Sequence, residues 1–306
     1  MKRILFTALL SVYGFVTCFG QNSERQWLNL NYAGDEKEYH NLDIYLPQTE
    51  EPAYKAIVVI YGSAWFGNNM KQFAFDALGK QLLEGGFAVI AINHRSSSDA
   101  PYPAQINDVK AAIRFIRANA SLYKIDASFI GITGFSSGGH LASLAGTTNG
   151  VKEYTLNNTT VDIEGNVGPH HSVSSAVNAV VDWFGPIDML LMDECKGPKG
   201  NDSPEAALIR GNPADNPDMI ALLNPITFLD EADPHFLVIH GAADNVVPHC
   251  QSELFAAALK ENKLLNQLIS VPEGQHGPVT FNEHTFKTMV RFFREEAEKQ
   301  NLSTKR

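Results

Sequence analysis

The residues Gly134-Phe135-Ser136-Ser137-Gly138 spell G-x-S-x-G. A serine hydroxyl is a weak nucleophile until a base takes its proton. A reactive serine therefore needs a histidine within hydrogen-bond reach and an acid behind it. Five residues alone recur by chance, so the setting decides their weight. Residues 129–133 read FIGIT, a β-run, and residues 140–145 suit a helix. A strand, a sharp glycine-flanked turn and a helix hold a serine out at the end of a sheet, over a helix N-terminus that favours negative charge.

The partners are expected downstream, acid first and histidine second. The run FLVIHG ends at Gly241, and Ala242-Ala243-Asp244 follows, so Asp244 is the expected acid. The run LNQLISVP leads into Gly274-Gln275-His276-Gly277, so His276 is the expected base, with His284 as a fallback in the start of the last helix. In this chemistry Ser136 attacks a carbonyl carbon. His276 takes the proton and returns it to the leaving group, and Asp244 orients the ring. The resulting oxyanion needs fixed N–H donors. Ser137 supplies one, and the loop Gly62-Ser63-Ala64-Trp65 supplies another, assigned to Ser63 with Ala64 beside it. Trp65, Phe135 and Trp183 are candidates for the substrate pocket, although aromatic residues more often fill cores.

Other candidates fit less well. Asp182 and Asp188 flank Trp183-Phe184-Gly185 and could replace the acid, but such residues usually hold loops. His240 reads as a strand-end packing residue. His170 and His171 are adjacent, lack further ligands at metal spacing, and imply no metal.

These residues need a scaffold that gathers them. Apolar β-runs at 56–61, 87–93, 129–133, 176–184, 236–240 and 265–271 alternate with helical patterns, and runs at 27–32 and 42–46 precede them. That alternation predicts an α/β fold with a mostly parallel sheet covered on both faces. Ile106, Val109, Ile113 and Ile116 form one helical stripe, and Phe286, Met289, Val290 and Phe293 another. Two segments break the pattern, 147–171 and 190–223. Both are expected as insertions that shape the substrate site.

The chain has 306 residues, 44% of them hydrophobic, enough for one large core. Residues 1–20 read as a signal peptide. Lys2 and Arg3 precede an apolar run too short to span a bilayer, with cleavage expected between Gly20 and Gln21. The chain beyond is read as a single domain, 21–306, secreted or periplasmic. The net charge of −10 and the lack of a basic cluster argue against nucleic-acid or acidic-membrane partners. Cys195 and Cys250 remain after the leader. Export permits a disulfide, but spacing cannot say whether they pair.

The segments NLDIYLP, YGSAW, APYPAQINDVKAAIRFIRANA, GITGFSSGGHLASLAGTT, AVVDWFGPIDM, LLNPITFLDEADPHFLVIHGAADNVVP and GQHG resemble the bacterial feruloyl and acetyl xylan esterase-like α/β-hydrolases, which overlap the hormone-sensitive-lipase-like group. The resemblance implies the α/β-hydrolase fold, the triad Ser136, Asp244 and His276, an oxyanion site around Gly62 to Trp65 and Ser137, and no cofactor. It implies ester substrates on acylated carbohydrate. Acetyl esters of xylan come first; a feruloyl ester, a peptide or amide bond, and an inactive carbohydrate-binding scaffold are the alternatives. The family's oxyanion loop usually begins His-Gly-Gly, where this chain has Tyr61-Gly62-Ser63.

Overall fold

The computed structural model describes residues 25–303, so the leader expected at 1–20 lies outside the described residues. Strand β3 (Tyr54–Ile60) shows why the chain folds as layers. Ala56, Val58 and Ile60 point to one face and Ile57 and Val59 to the other, and all five are buried. A strand apolar on both faces must lie inside a sheet covered on both sides.

That sheet has eight strands. From one edge they are β1 (Gln26–Asn31), β2 (Asn41–Tyr45), β4 (Ala88–Ile92), β3, β5 (Ile125–Phe135), β8 (Ala179–Trp183), β9 (His235–Gly241) and β10 (Leu265–Val271). β2 is antiparallel to both β1 and β4, and the six strands from β4 to β10 run parallel. All six therefore end at one edge. The loops after β3, β5, β9 and β10 leave from that edge, where ligands of open α/β sheets bind.

One face carries α1 (Lys71–Ala74) and α2 (Lys80–Glu84), joined by a π-helical turn, and the closing helix α8 (Glu283–Ser303). The other face carries α3 (Ala104–Ala118), α4 (Ser137–Thr147) and α7 (Cys250–Glu261). All four isoleucine and valine residues of the predicted α3 stripe are fully buried. The 71–84 stretch and α7 are elements the sequence reading leaves unassigned.

The two irregular segments differ. Residues 147–171 hold a hairpin, β6 (Glu153–Leu156) and β7 (Thr159–Asp162), joined by Asn157-Asn158 with Asn157 at φ 50°. Asparagine tolerates that left-handed turn. Glu164 then accepts hydrogen bonds from Arg114 and Ser175 and pairs with the buried Lys110, 3.3 Å away, which fastens the segment to α3. None of the residues lining the cavities at Ser136 comes from this segment. The expectation that it shapes the substrate site is corrected: α4 starts at the serine and runs back against the strand direction, so the insertion begins roughly 16 Å away.

Residues 190–223 do reach the site. They form the short helices α5 (Pro204–Ile209) and α6 (Pro217–Ala221) among 3-10 turns. Ser203 caps α5 by accepting from the Ala206 N–H at 3.1 Å. Cys195 and Cys250 are joined in a disulfide, which ties this segment to the start of α7.

Candidate active site

Ser136 stands between β5 and α4 at φ 56° and ψ −129°, a strained conformation for a side chain other than glycine. The glycines allow it by close approach. A Cβ on Gly134 would lie 2.3 Å from the Gly138 carbonyl oxygen, and one on Gly138 would lie 2.5 Å from that of Ile60. The turn thus fits only with hydrogen at both positions.

The Ser136 hydroxyl lies 2.9 Å from His276 Nε2, and His276 Nδ1 lies 2.7 Å from Asp244 Oδ2. Register explains the meeting. β5, β8, β9 and β10 are consecutive neighbours, with Phe135 opposite Trp183, Trp183 opposite Ile239 and His240 opposite Ser270. Loops leaving these strand ends converge over one patch. The serine O–H can donate to Nε2 while Nδ1–H donates to the carboxylate, the arrangement in which imidazole acts as a base.

Asp244 is fixed from behind. Its Oδ1 accepts from the backbone N–H groups of Val246 at 2.8 Å and Val247 at 3.0 Å. His240 Nε2 lies 3.3 Å from its Oδ2, and His240 Nδ1 meets Ser252 Oγ at 2.7 Å. Burial pushes the Asp244 carboxyl upward, but the hydrogen bonds from His240, His276 and Val246 outweigh it and hold the group well below the usual carboxylate range. His240 therefore supports the acid as well as packing at the strand end, a role its position in the run FLVIHG does not reveal. Phe184, at φ 42°, lays its ring 4.7 Å from that of His276.

The N–H groups beside Ser136 are not equivalent. That of Ser63 donates to Ser137 Oγ at 2.9 Å. Those of Ala64, at φ 50°, and Ser137 have no acceptor among the described residues. Ser63 thus anchors the loop to α4, and Ala64 and Ser137 are left free to meet an oxyanion. Tyr61 stacks on His94 at 4.7 Å and donates to the Gly67 carbonyl at 3.2 Å, so it braces the base of this loop.

Two cavities meet at Ser136, and both are lined by Ala64 and Val246. The larger, about 770 Å³, is walled by Phe73, Ala77, Phe135, Phe184 and Phe281, with His276 at its edge. The smaller, about 70 Å³, lies against Trp65, Ser137, Met192, Lys199 and Glu205. Phe135 and Trp65 therefore reach cavity walls. Trp183 does not: it is fully buried, its ring packed on Phe281 and Phe286 as a second layer behind the larger cavity. Its place on β8 turns it into the core. Phe73, Phe281 and Glu205 carry no motif that would single them out.

Asp182 and Asp188 hold loops. Asp182 accepts from the Gly185 N–H at 2.9 Å and Asp188 from that of Leu190 at 3.0 Å. His284 lies exposed on α8. Among the described residues no cluster of three or more His, Cys, Asp or Glu could hold a metal ion.

The BD-FAE family model matches residues 42–259, from β2 into α7. The chain belongs to the BD-FAE family. Its α/β-hydrolase fold is that of solved relatives. A bifunctional GH43-CE from Bacteroides eggerthii is 67% identical with a TM-score of 0.88, over 89% of this chain and 35% of that one. A truncated form of a carbohydrate esterase from gut microbiota is 55% identical with a TM-score of 0.89, over 90% of this chain and 97% of that one. Esterase LipQ of Mycobacterium tuberculosis is 32% identical over 225 residues, 72% of this chain and 49% of the relative. This BD-FAE chain spans about half the length of the curated relatives it matches.

Proposed function

We propose that this chain is an exported serine esterase that removes an acyl group from a saccharide. The hydrogen-bonded series Ser136, His276, Asp244 carries the reading: a nucleophile, a base in reach of it and an ionised acid behind that base, in the geometry acyl transfer needs. Ser136 attacks the ester carbonyl as His276 takes its proton. The N–H groups of Ala64 and Ser137 receive the oxyanion, and His276 protonates the departing sugar hydroxyl. Water then repeats the sequence on the acyl-enzyme. The named carbohydrate esterases among the relatives support a sugar as the alcohol. Phe66, 52% exposed on the lining of a hollow that also holds Asp202, Arg210 and Asn212, offers a face on which a sugar ring can stack. The disulfide and the apolar leader support export.

The acyl group is the second question. Acetyl esters stand first in the sequence reading, but the larger cavity favours a bulkier, aromatic acyl group such as feruloyl. About 770 Å³ is a volume that encloses drug-sized ligands, and its phenylalanine walls match an aromatic ring. The test is release of acid from acetylated xylan, feruloylated xylan and 4-nitrophenyl acetate, with Ser136→Ala alongside. The expected outcome is turnover by the parent, none by the variant, and a higher kcat/KM for the feruloyl ester than for the acetyl ester of the same sugar. Equal loss-free turnover by Ser136→Ala would overturn the mechanism, and a preference for acetyl would overturn the assignment of the larger cavity.

A further inference from the structure

The smaller cavity is lined by Lys199, Glu205 and Trp65, polar side chains that the mechanism leaves unused. Glu205 is 3% exposed and Trp65 1% exposed, yet Glu205 Oε2 and Trp65 Nε1 are buried without a hydrogen-bond partner among the described residues. Buried polar groups are normally satisfied, and a carboxylate oxygen left alone is costly. Both residues border the cavity that touches Ser136 and Ser137. One is an acceptor and the other a donor, so the fitting occupant both donates and accepts. A methyl group does neither and an ammonium only donates, whereas a hydroxyl does both.

We propose that the smaller cavity receives one free hydroxyl of the saccharide, on the carbon next to the one bearing the ester, with Glu205 accepting its hydrogen bond and the Trp65 indole donating one. This rests on the saccharide esterase reading above and specifies which alcohols it accepts. The neighbour position follows from size and place. About 70 Å³ beside the nucleophile leaves room for a single substituent a few bonds from the scissile carbonyl. The larger cavity remains for the acyl group, so apolar and polar halves of the substrate meet matching walls. Glu205 and Trp65 are specificity-determining residues on this account. Neither touches the reacting atoms.

The experiment measures kcat/KM for a 2-O-acyl methyl xyloside and for its 3-deoxy analogue, in the parent, Glu205→Gln and Trp65→Phe, with circular dichroism to establish folding. The parent should prefer the hydroxylated sugar by about tenfold or more, because the deoxy sugar leaves the buried polar groups of the cavity unpaired. Both variants should shrink that preference, Glu205→Gln the more, whatever happens to the absolute rates. The variants protect each other, since either one that folds reads the ratio. An unchanged ratio in the folded variants, as a resident structural water would give, overturns the proposal. So does a parent that does not distinguish the two sugars, or one that cleaves 4-nitrophenyl acetate but neither sugar ester. A parent that cleaves none of the three overturns the esterase reading itself.

Discussion

Asp244 gains its setting from its own loop and strand and from one residue far along the chain, His276. Two backbone N–H groups two and three residues on, His240 from the strand before it and His276 from the next loop all converge on one carboxylate. Such a group stays ionised at any working pH and can hold the His276 ring in the tautomer that presents a bare Nε2 to the serine. Asp244→Asn should therefore lower kcat by about 10⁴ while the enzyme still binds substrate, since an amide presents the wrong pattern to Nδ1. Steady-state kinetics on an aryl ester check this. The places of Ser136, Asp244 and His276, which the structure joins by hydrogen bonds, are readable from the chain because each follows a β-run in a set order. Which N–H group beside Ser136 stays free is not, because it depends on where one N–H points: that of Ser63 is taken by Ser137 Oγ.

Elements were legible where their periodicity was strong. The buried parallel strands and α3 announce themselves as apolar runs or stripes. α7 does not, because its buried face includes Gln251 and Ser252, two polar residues with structural tasks. Gln251 accepts from the N–H groups of Ile187 and Asp188 at 2.8 Å, and Ser252 meets His240. Cys250, just before them, carries the disulfide to Cys195. The bridge closes a span of 55 residues that includes α5 and Glu205. Restricting a loop of that length in the unfolded chain contributes about 4 kcal/mol. Replacing both cysteines by serine should lower Tm by roughly 5–10 °C in a thermal melt.

At the scale of the whole molecule, a buried carboxyl sets a pH dependence. Asp182 lies fully buried in the central sheet, and burial, against the pull of the Gly185 N–H and of His240, pushes its carboxyl up from 3.8 to about 6. A raised acid means the folded protein holds a proton that the unfolded chain releases. The group costs nothing below the unfolded value. Its cost grows as pH rises from 3.8 through about 6, and is complete above that. The total is roughly 3 kcal/mol. Asp182→Asn keeps an oxygen for the Gly185 N–H and removes the titration. The difference in unfolding free energy between variant and parent should therefore move in the variant's favour across that window, read from urea melts at a series of pH values.

The meeting of two cavities at Ser136 bears on the order in which products leave. On the proposed reading an ester is cut where they meet, with its acyl group in the larger cavity and one sugar hydroxyl in the smaller. Once the sugar has gone, the smaller cavity stands empty beside a still-occupied larger one. Its unpartnered carboxylate and indole suit water as well as a hydroxyl. Water taking the place of that hydroxyl then stands beside the acyl-enzyme. Sugar should appear in a burst ahead of the acid whenever that second half-reaction is the slower.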